Sequence, residues 1–149
     1  IGQDGAVASG VLDLGGNIQC MGKKTDGAPF VVGVKDPLQP ERLMGRLQVP
    51  GGMAVVTSGV YERGFDLDGV RYHHLLDPQT GYPAQSGLAA VTVVCADGAM
   101  ADALSTALFV LGEERALELL GRLEGVEALL VRADGSVRAT DGLAYIPSN

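Results

Sequence analysis

Asp102, Ser105 and Thr106 stand at relative positions i, i+3 and i+4 within the stretch Ala99–Leu111. On a helix, that spacing brings three oxygen-bearing side chains to one face, one turn apart. Hard cations such as Mg²⁺ take oxygen ligands and usually keep water or substrate phosphate to complete their octahedron, so carboxylate plus hydroxyl is a sensible half-site. An acidic residue near a helix start also has a plainer role in the helix dipole, and spacing alone favours that role. Yet Leu104, Ala107 and Leu108 leave an apolar helix little reason to carry three polar groups on one face. His73 and His74 form a second candidate. Alternation along an extended chain puts them on opposite faces, so they do not readily share a metal. One of them suits a general base, because imidazole titrates near neutrality and a carboxylate such as Asp77 can tune it. Asp77-Pro78-Gln79-Thr80-Gly81 by itself reads as a turn. Gly15-Gly16-Asn17 and Thr57-Ser58-Gly59 are strand-end turns of small residues, either of which lets backbone N–H groups approach a phosphate or a planar ring. Arg63, after Tyr61 and Glu62, suits a phosphate or carboxylate, and equally a surface ion pair.

These residues need elements to position them. Val7–Leu14 reads as a strand entering the glycine turn, and Pro29–Lys35 as a second, apolar on both faces and closed by Asp36-Pro37. Leu38–Leu47 is polar and contains proline, which reads as a connection. Met53–Thr57 is a short β-branched run. Val60–Asp66 and Val70–Leu75 flank Asp68-Gly69, a strong hairpin signal because that turn needs positive φ. Asp77–Gly87 is a loop, and Leu88–Cys95 is the clearest strand, with Val91, Val93 and Val94 pointing to burial. The period then changes. Ala99–Leu111 is apolar at helical spacing and stops at Gly112, and Glu113–Leu123 is a second helix with acidic residues in its first turn. Val126–Arg132 and Ser136–Thr140 pair around Asp134-Gly135. The expected fold is α+β, a largely antiparallel sheet with hairpins packed against two consecutive helices, in one domain.

A chain of 149 residues, 46% hydrophobic and 19% charged, has the composition of a folded domain with a sizeable core. Its 22 glycines imply many tight turns or close approach of backbone to a ligand. A formal net charge of −7 argues against a nucleic-acid partner, which needs a basic face. Cys20 and Cys95 lack any CxxC spacing and read as buried free thiols. No apolar run reaches the length of a membrane span, and no signal peptide is visible. The chain opens at Ile1 in turn-like sequence, as expected of a processed product, a fragment or a part of something longer.

Singly these signals are weak, but their order is specific. Leu14-Gly15-Gly16-Asn17-Ile18, then Thr57-Ser58-Gly59-Val60-Tyr61-Glu62-Arg63, then His74-Leu75-Leu76-Asp77-Pro78-Gln79-Thr80-Gly81-Tyr82-Pro83, and finally Ala101-Asp102-Ala103-Leu104-Ser105-Thr106 together resemble the ApbE family of FAD:protein FMN transferases. The resemblance runs from about Leu12 to Gly112. It implies cleavage of FAD and attachment of FMN to a threonine hydroxyl of a target protein, with Mg²⁺. It carries the metal role onto Asp102 and Thr106, with Ser105 as a weaker candidate, and the family's histidine onto His74 rather than His73. Asn17, the Thr57-Ser58-Gly59 segment and Leu75, Leu76 and Asp77 become walls of the flavin pocket. Family members are about twice this long, which makes the chain the C-terminal portion of such a domain, with the missing N-terminal half or a second copy as further partners. No counterpart of the family's Lys-Gly-Tyr-type segment precedes Gly15. The resemblance leaves open an FAD pyrophosphatase giving FMN and AMP, or a flavin-binding half inactive alone. It also implies a bacterial protein, periplasmic or anchored on the outer face of a membrane.

Overall fold

A computed structural model describes residues 8–148. The chain forms β1 (Ser9–Asp13), β2 (Asn17–Gly22), β3 (Phe30–Lys35), β4 (Leu43–Val49) and β5 (Ala54–Gly59). The hairpin of β6 (Gly64–Leu67) and β7 (Val70–His73) follows, then β8 (Leu88–Cys95), α1 (Gly98–Leu111), α2 (Glu113–Leu120), β9 (Glu127–Arg132), β10 (Val137–Ala139) and β11 (Tyr145–Pro147). Among the described residues, one sheet has six strands in the order β1-β2-β5-β8-β9-β10, a second has three in the order β11-β4-β3, and β6 and β7 pair only with each other. Every strand pair is antiparallel. The α+β expectation holds.

The large sheet is the middle of three layers. Alternate residues of a strand point to opposite faces, and both faces of this sheet are apolar. Val56, Val91, Val93 and Leu130 point to the side where Ala101, Leu108 and Phe109 of α1 and Leu120 of α2 complete one core. Val55, Val94 and Leu129 point the other way, onto Phe30, Val32, Leu47 and Val49 of the small sheet. Hence β8 is buried along its whole length. Cys20 and Cys95 are buried free thiols, one in each core. Burial pushes the Cys20 thiol up, keeping it protonated and unreactive.

Helix α1 begins where Asp97 accepts hydrogen bonds from the Ala99 and Met100 amides, at 2.9 and 3.0 Å, a side-chain N-cap. It stops at Gly112, whose φ of 77° opens the left-handed region that ends helices. Ala101, Ser105, Leu108 and Phe109 are its buried residues. Asp102 and Thr106, one position further round, fall at the rim of that buried face.

Five elements differ from the sequence reading. Leu43–Val49 is a strand rather than part of a connection, and Asn17–Gly22 and Tyr145–Pro147 are strands that the sequence did not signal. The hairpin strand expected from Val60 starts only at Gly64, after a turn. The second helix ends at Leu120, short of Leu123. Val7, expected to open the first strand, lies outside the described residues.

Candidate functional site

Three elements converge on one cleft of about 410 Å³ at the rim of α1. The helix contributes Asp102 and Thr106, and β5 contributes Val56, Thr57 and Ser58. The turn from β1 to β2 adds Leu14 through Asn17, while Glu62, Arg63 and His74 close it from the base of the hairpin. Asn17, Thr57, Ser58, His74, Asp102 and Thr106, which lie 89 positions apart at the extremes, therefore share one cavity.

The β1–β2 turn is shaped by its glycines. Gly15 and Gly16 have φ of 76° and 100°, conformations that glycine adopts without steric cost. Their amides do not face the cleft as free donors, however. Both donate to Asp13 Oδ1, each at 3.0 Å. The turn thus presents its small surface and the Asn17 side chain rather than an anion-binding nest.

His74 differs sharply from His73. Its Nδ1 lies 3.2 Å from the Arg63 carbonyl oxygen, and a carbonyl only accepts. Nδ1 must therefore carry the hydrogen, which leaves the Nε2 lone pair able to take a proton. His73 instead packs edge-on against Phe109, ring centres 5.6 Å apart. Burial, with His74 alongside, lowers its pKa and keeps it neutral.

The hydroxyls of the cleft are joined. Ser58 Oγ lies 3.0 Å from Thr106 Oγ1 and 2.8 Å from Ser105 Oγ, and Ser105 donates to the Asp102 carbonyl at 2.9 Å. Ser105 is fully buried and does not line the cleft, whereas Asp102 and Thr106 are exposed to it. On the opposite face of β5, Thr57 Oγ1 lies 2.8 Å from Thr92 Oγ1. Thr57 and Glu62 also border a smaller cavity of about 240 Å³ between the two sheets. Tyr61 lines that cavity too, and burial, then the adjacent Glu62, pushes its phenol up to about 12. It is a neutral hydrogen-bond donor at any ordinary pH.

The other expected wall residues lie elsewhere. Gly59 is buried, and a Cβ there would meet the Tyr61 ring at 2.5 Å, so the glycine lets that ring close over the strand. Leu75 is in the core. Asp77 builds its own turn, accepting from the Gln79 amide through Oδ1 and from the Gly81 amide through its carbonyl, both at 2.8 Å. Leu76 lines an adjoining apolar groove with Phe65, Tyr72 and Tyr82, which shares Arg63 and His74 with the cleft. Sequence reasoning missed Thr92, although a lone hydroxyl in the apolar run Leu88–Cys95 was a visible signal. It also missed the Arg63 carbonyl, which no side-chain pattern announces.

Among the described residues no group of three or more His, Cys, Asp or Glu is placed to hold a metal. The donors that α1 turns to the cleft are the Asp102 carboxylate and the Thr106 hydroxyl, both hard oxygens. That set suits a Mg²⁺ ion completed by water and substrate phosphate, and does not suit a closed zinc or calcium cage.

Residues 2–130 match the sequence model of the ApbE family. The chain belongs to that family. It is 40% identical over 146 residues to the FAD:protein FMN transferase of Treponema pallidum, covering 93% of this chain and 40% of that protein. The crystal structure of the ApbE protein from Thermotoga maritima superimposes with a TM-score of 0.79 at 42% identity, over 89% of this chain and 43% of the other. The apo flavinyl transferase ApbE of Pseudomonas stutzeri gives 0.71 at 38% identity, over 91% and 42%. The chain thus spans about two fifths of the ApbE proteins it matches.

Proposed function

We propose that this chain forms one side of the active site of a Mg²⁺-dependent transferase that moves FMN from FAD to a threonine hydroxyl of a target protein. The observation that carries the reading is the single cleft in which an oriented imidazole, His74, faces the same space as a carboxylate–hydroxyl pair, Asp102 and Thr106. The names of its ApbE relatives supply the substrate class.

In this reading, FAD lies along the cleft with its flavin side toward Asn17, Thr57 and Ser58 and the Leu76 groove, and its pyrophosphate toward Asp102 and Thr106. Mg²⁺ held by that pair would neutralise charge on the pyrophosphate, the main electrostatic demand of phosphoryl transfer. His74 Nε2 takes the proton of the acceptor threonine as its oxygen forms a bond to the FMN-side phosphorus. The bond from that phosphorus to the bridging oxygen breaks, and AMP leaves with the electron pair. The Arg63 carbonyl keeps the imidazole in the tautomer that can accept a proton.

Replacing Asp102 with Ala tests the reading. FMN transfer to a threonine-bearing target peptide is expected to fall to background, while folding is retained because Asp102 is exposed. Full transfer by that variant would remove the assignment. Free FMN measured in the same assay separates transfer from simple FAD hydrolysis.

A further inference from the structure

The hydroxyls that run from the cleft wall into the core form a one-way chain. Each has a single hydrogen to give. The Asp102 carbonyl can only accept, so the Ser105 hydrogen is committed to it at 2.9 Å. Ser105 must then accept in its 2.8 Å contact with Ser58, and the Ser58 hydrogen points at Ser105. With that hydrogen spent, Ser58 can only accept from Thr106 at 3.0 Å. Every hydrogen in the series Thr106, Ser58, Ser105 and Asp102 therefore runs inward. The Thr106 lone pairs are left facing the cleft.

We propose that Ser58 and Ser105 are positioning residues that lock the Thr106 hydroxyl as a lone-pair donor toward a cation in the cleft, and that Ser105 is not itself a ligand. This rests on the metal reading of Asp102 and Thr106 above. Three features support it. Ser105 is fully buried and Ser58 nearly so, with 7% of its surface exposed, so water does not compete for their hydrogens. The chain ends on the backbone of Asp102, the residue whose carboxylate is the other donor, which ties the two donors together within one helical turn. An unlocked threonine hydroxyl would spend part of its time presenting hydrogen, rather than oxygen, to a cation. Partners that orient a ligand in this way commonly govern affinity without touching the metal.

Mn²⁺ is the probe, its binding read by electron paramagnetic resonance with FAD present. The four proteins are the unaltered one, Ser105→Ala, Thr106→Val and the double variant. Ser105→Ala is expected to weaken Mn²⁺ binding on the order of tenfold. In the Thr106→Val background the same change should do nothing further, since residues acting through one another are not additive. An equal loss in both backgrounds, as a ligating Ser105 would give, overturns the proposal, and so does unchanged affinity in a folded Ser105→Ala. Should Ser105→Ala fail to fold, Ser58→Ala takes its place in the cycle with the same expected outcomes. Asp102→Ala separates this inference from the reading beneath it. Loss of Mn²⁺ there beside a silent Ser105→Ala defeats the relay alone. Mn²⁺ binding that survives Asp102→Ala, or no binding by the unaltered protein, defeats the metal reading and the relay with it.

Discussion

The His73 Nδ1 is buried with no hydrogen-bond partner among the described residues, and burial lowers the pKa of the ring below its ordinary value of 6.5. The consequence for stability has a definite sign. The unfolded chain binds a proton at this site more readily than the folded one, so folding is favoured in full above about 6.5 and loses stability as the pH falls through the folded value. Urea unfolding at pH 7.5 and 5.5 is expected to show a lower midpoint at the acidic pH, and His73→Leu should reduce that difference. An identical pH difference in the variant would show that His73 does not carry it. At this scale the sequence was partly legible. Helical periodicity alone put Asp102 and Thr106 on one turn, and strand alternation alone separated His73 from His74. It could not sort Ser105 from Thr106, because what turns Ser105 into a buried link is Ser58, 47 positions earlier. Nor could it show that the Gly15 and Gly16 amides are occupied by Asp13.

Helix α1 holds the site only if its first turn is firm, and Asp97 is what closes that turn. Asp97→Ala leaves the Ala99 and Met100 amides without their side-chain acceptor. A loss of about 1 kcal/mol follows from the usual worth of an N-cap, to be read as a lower urea midpoint at unchanged slope. An unaltered midpoint would show that water caps the turn equally well. Both helices, β8 and the two hairpins were legible because their periodicity, turn residues and caps are local. β4 was not. Its inward positions are Gly45, Leu47 and Val49, with Arg46 and Gln48 facing out, so its alternation opens on a glycine and reads as polar. Gly45 belongs there because Tyr145 of β11 lies over it, and a Cβ would come 2.3 Å from that ring. The Tyr145 hydroxyl donates to the Met44 carbonyl at 2.9 Å. A residue 100 positions away accounts for that glycine, and no short window along the chain contains both.

Across the whole molecule, the cleft depends on two bodies of unequal stability. The three-layer core fixes α1 and β5, but β6 and β7 form a two-stranded sheet of their own, and such a hairpin is marginal by itself. Its attachment to the core runs through His73 on Phe109 and through Leu75, and His74 sits between them. Phe109 is fully buried, so Phe109→Ala is expected to cost about 3–5 kcal/mol and would blur any local effect. Phe109→Leu is the sharper change, since it keeps the core apolar and leaves a smaller cavity than alanine would while removing the ring that His73 packs against. If that contact anchors the hairpin, amide exchange in β6 and β7 should accelerate by more than the loss of global stability explains, while amides of β8 follow global stability. If hairpin and β8 amides accelerate by one common factor, the hairpin is held by Leu75 and the loop alone. In the first case the transfer rate should fall in Phe109→Leu with Mn²⁺ affinity unchanged, because the imidazole moves and the oxygen donors on α1 do not.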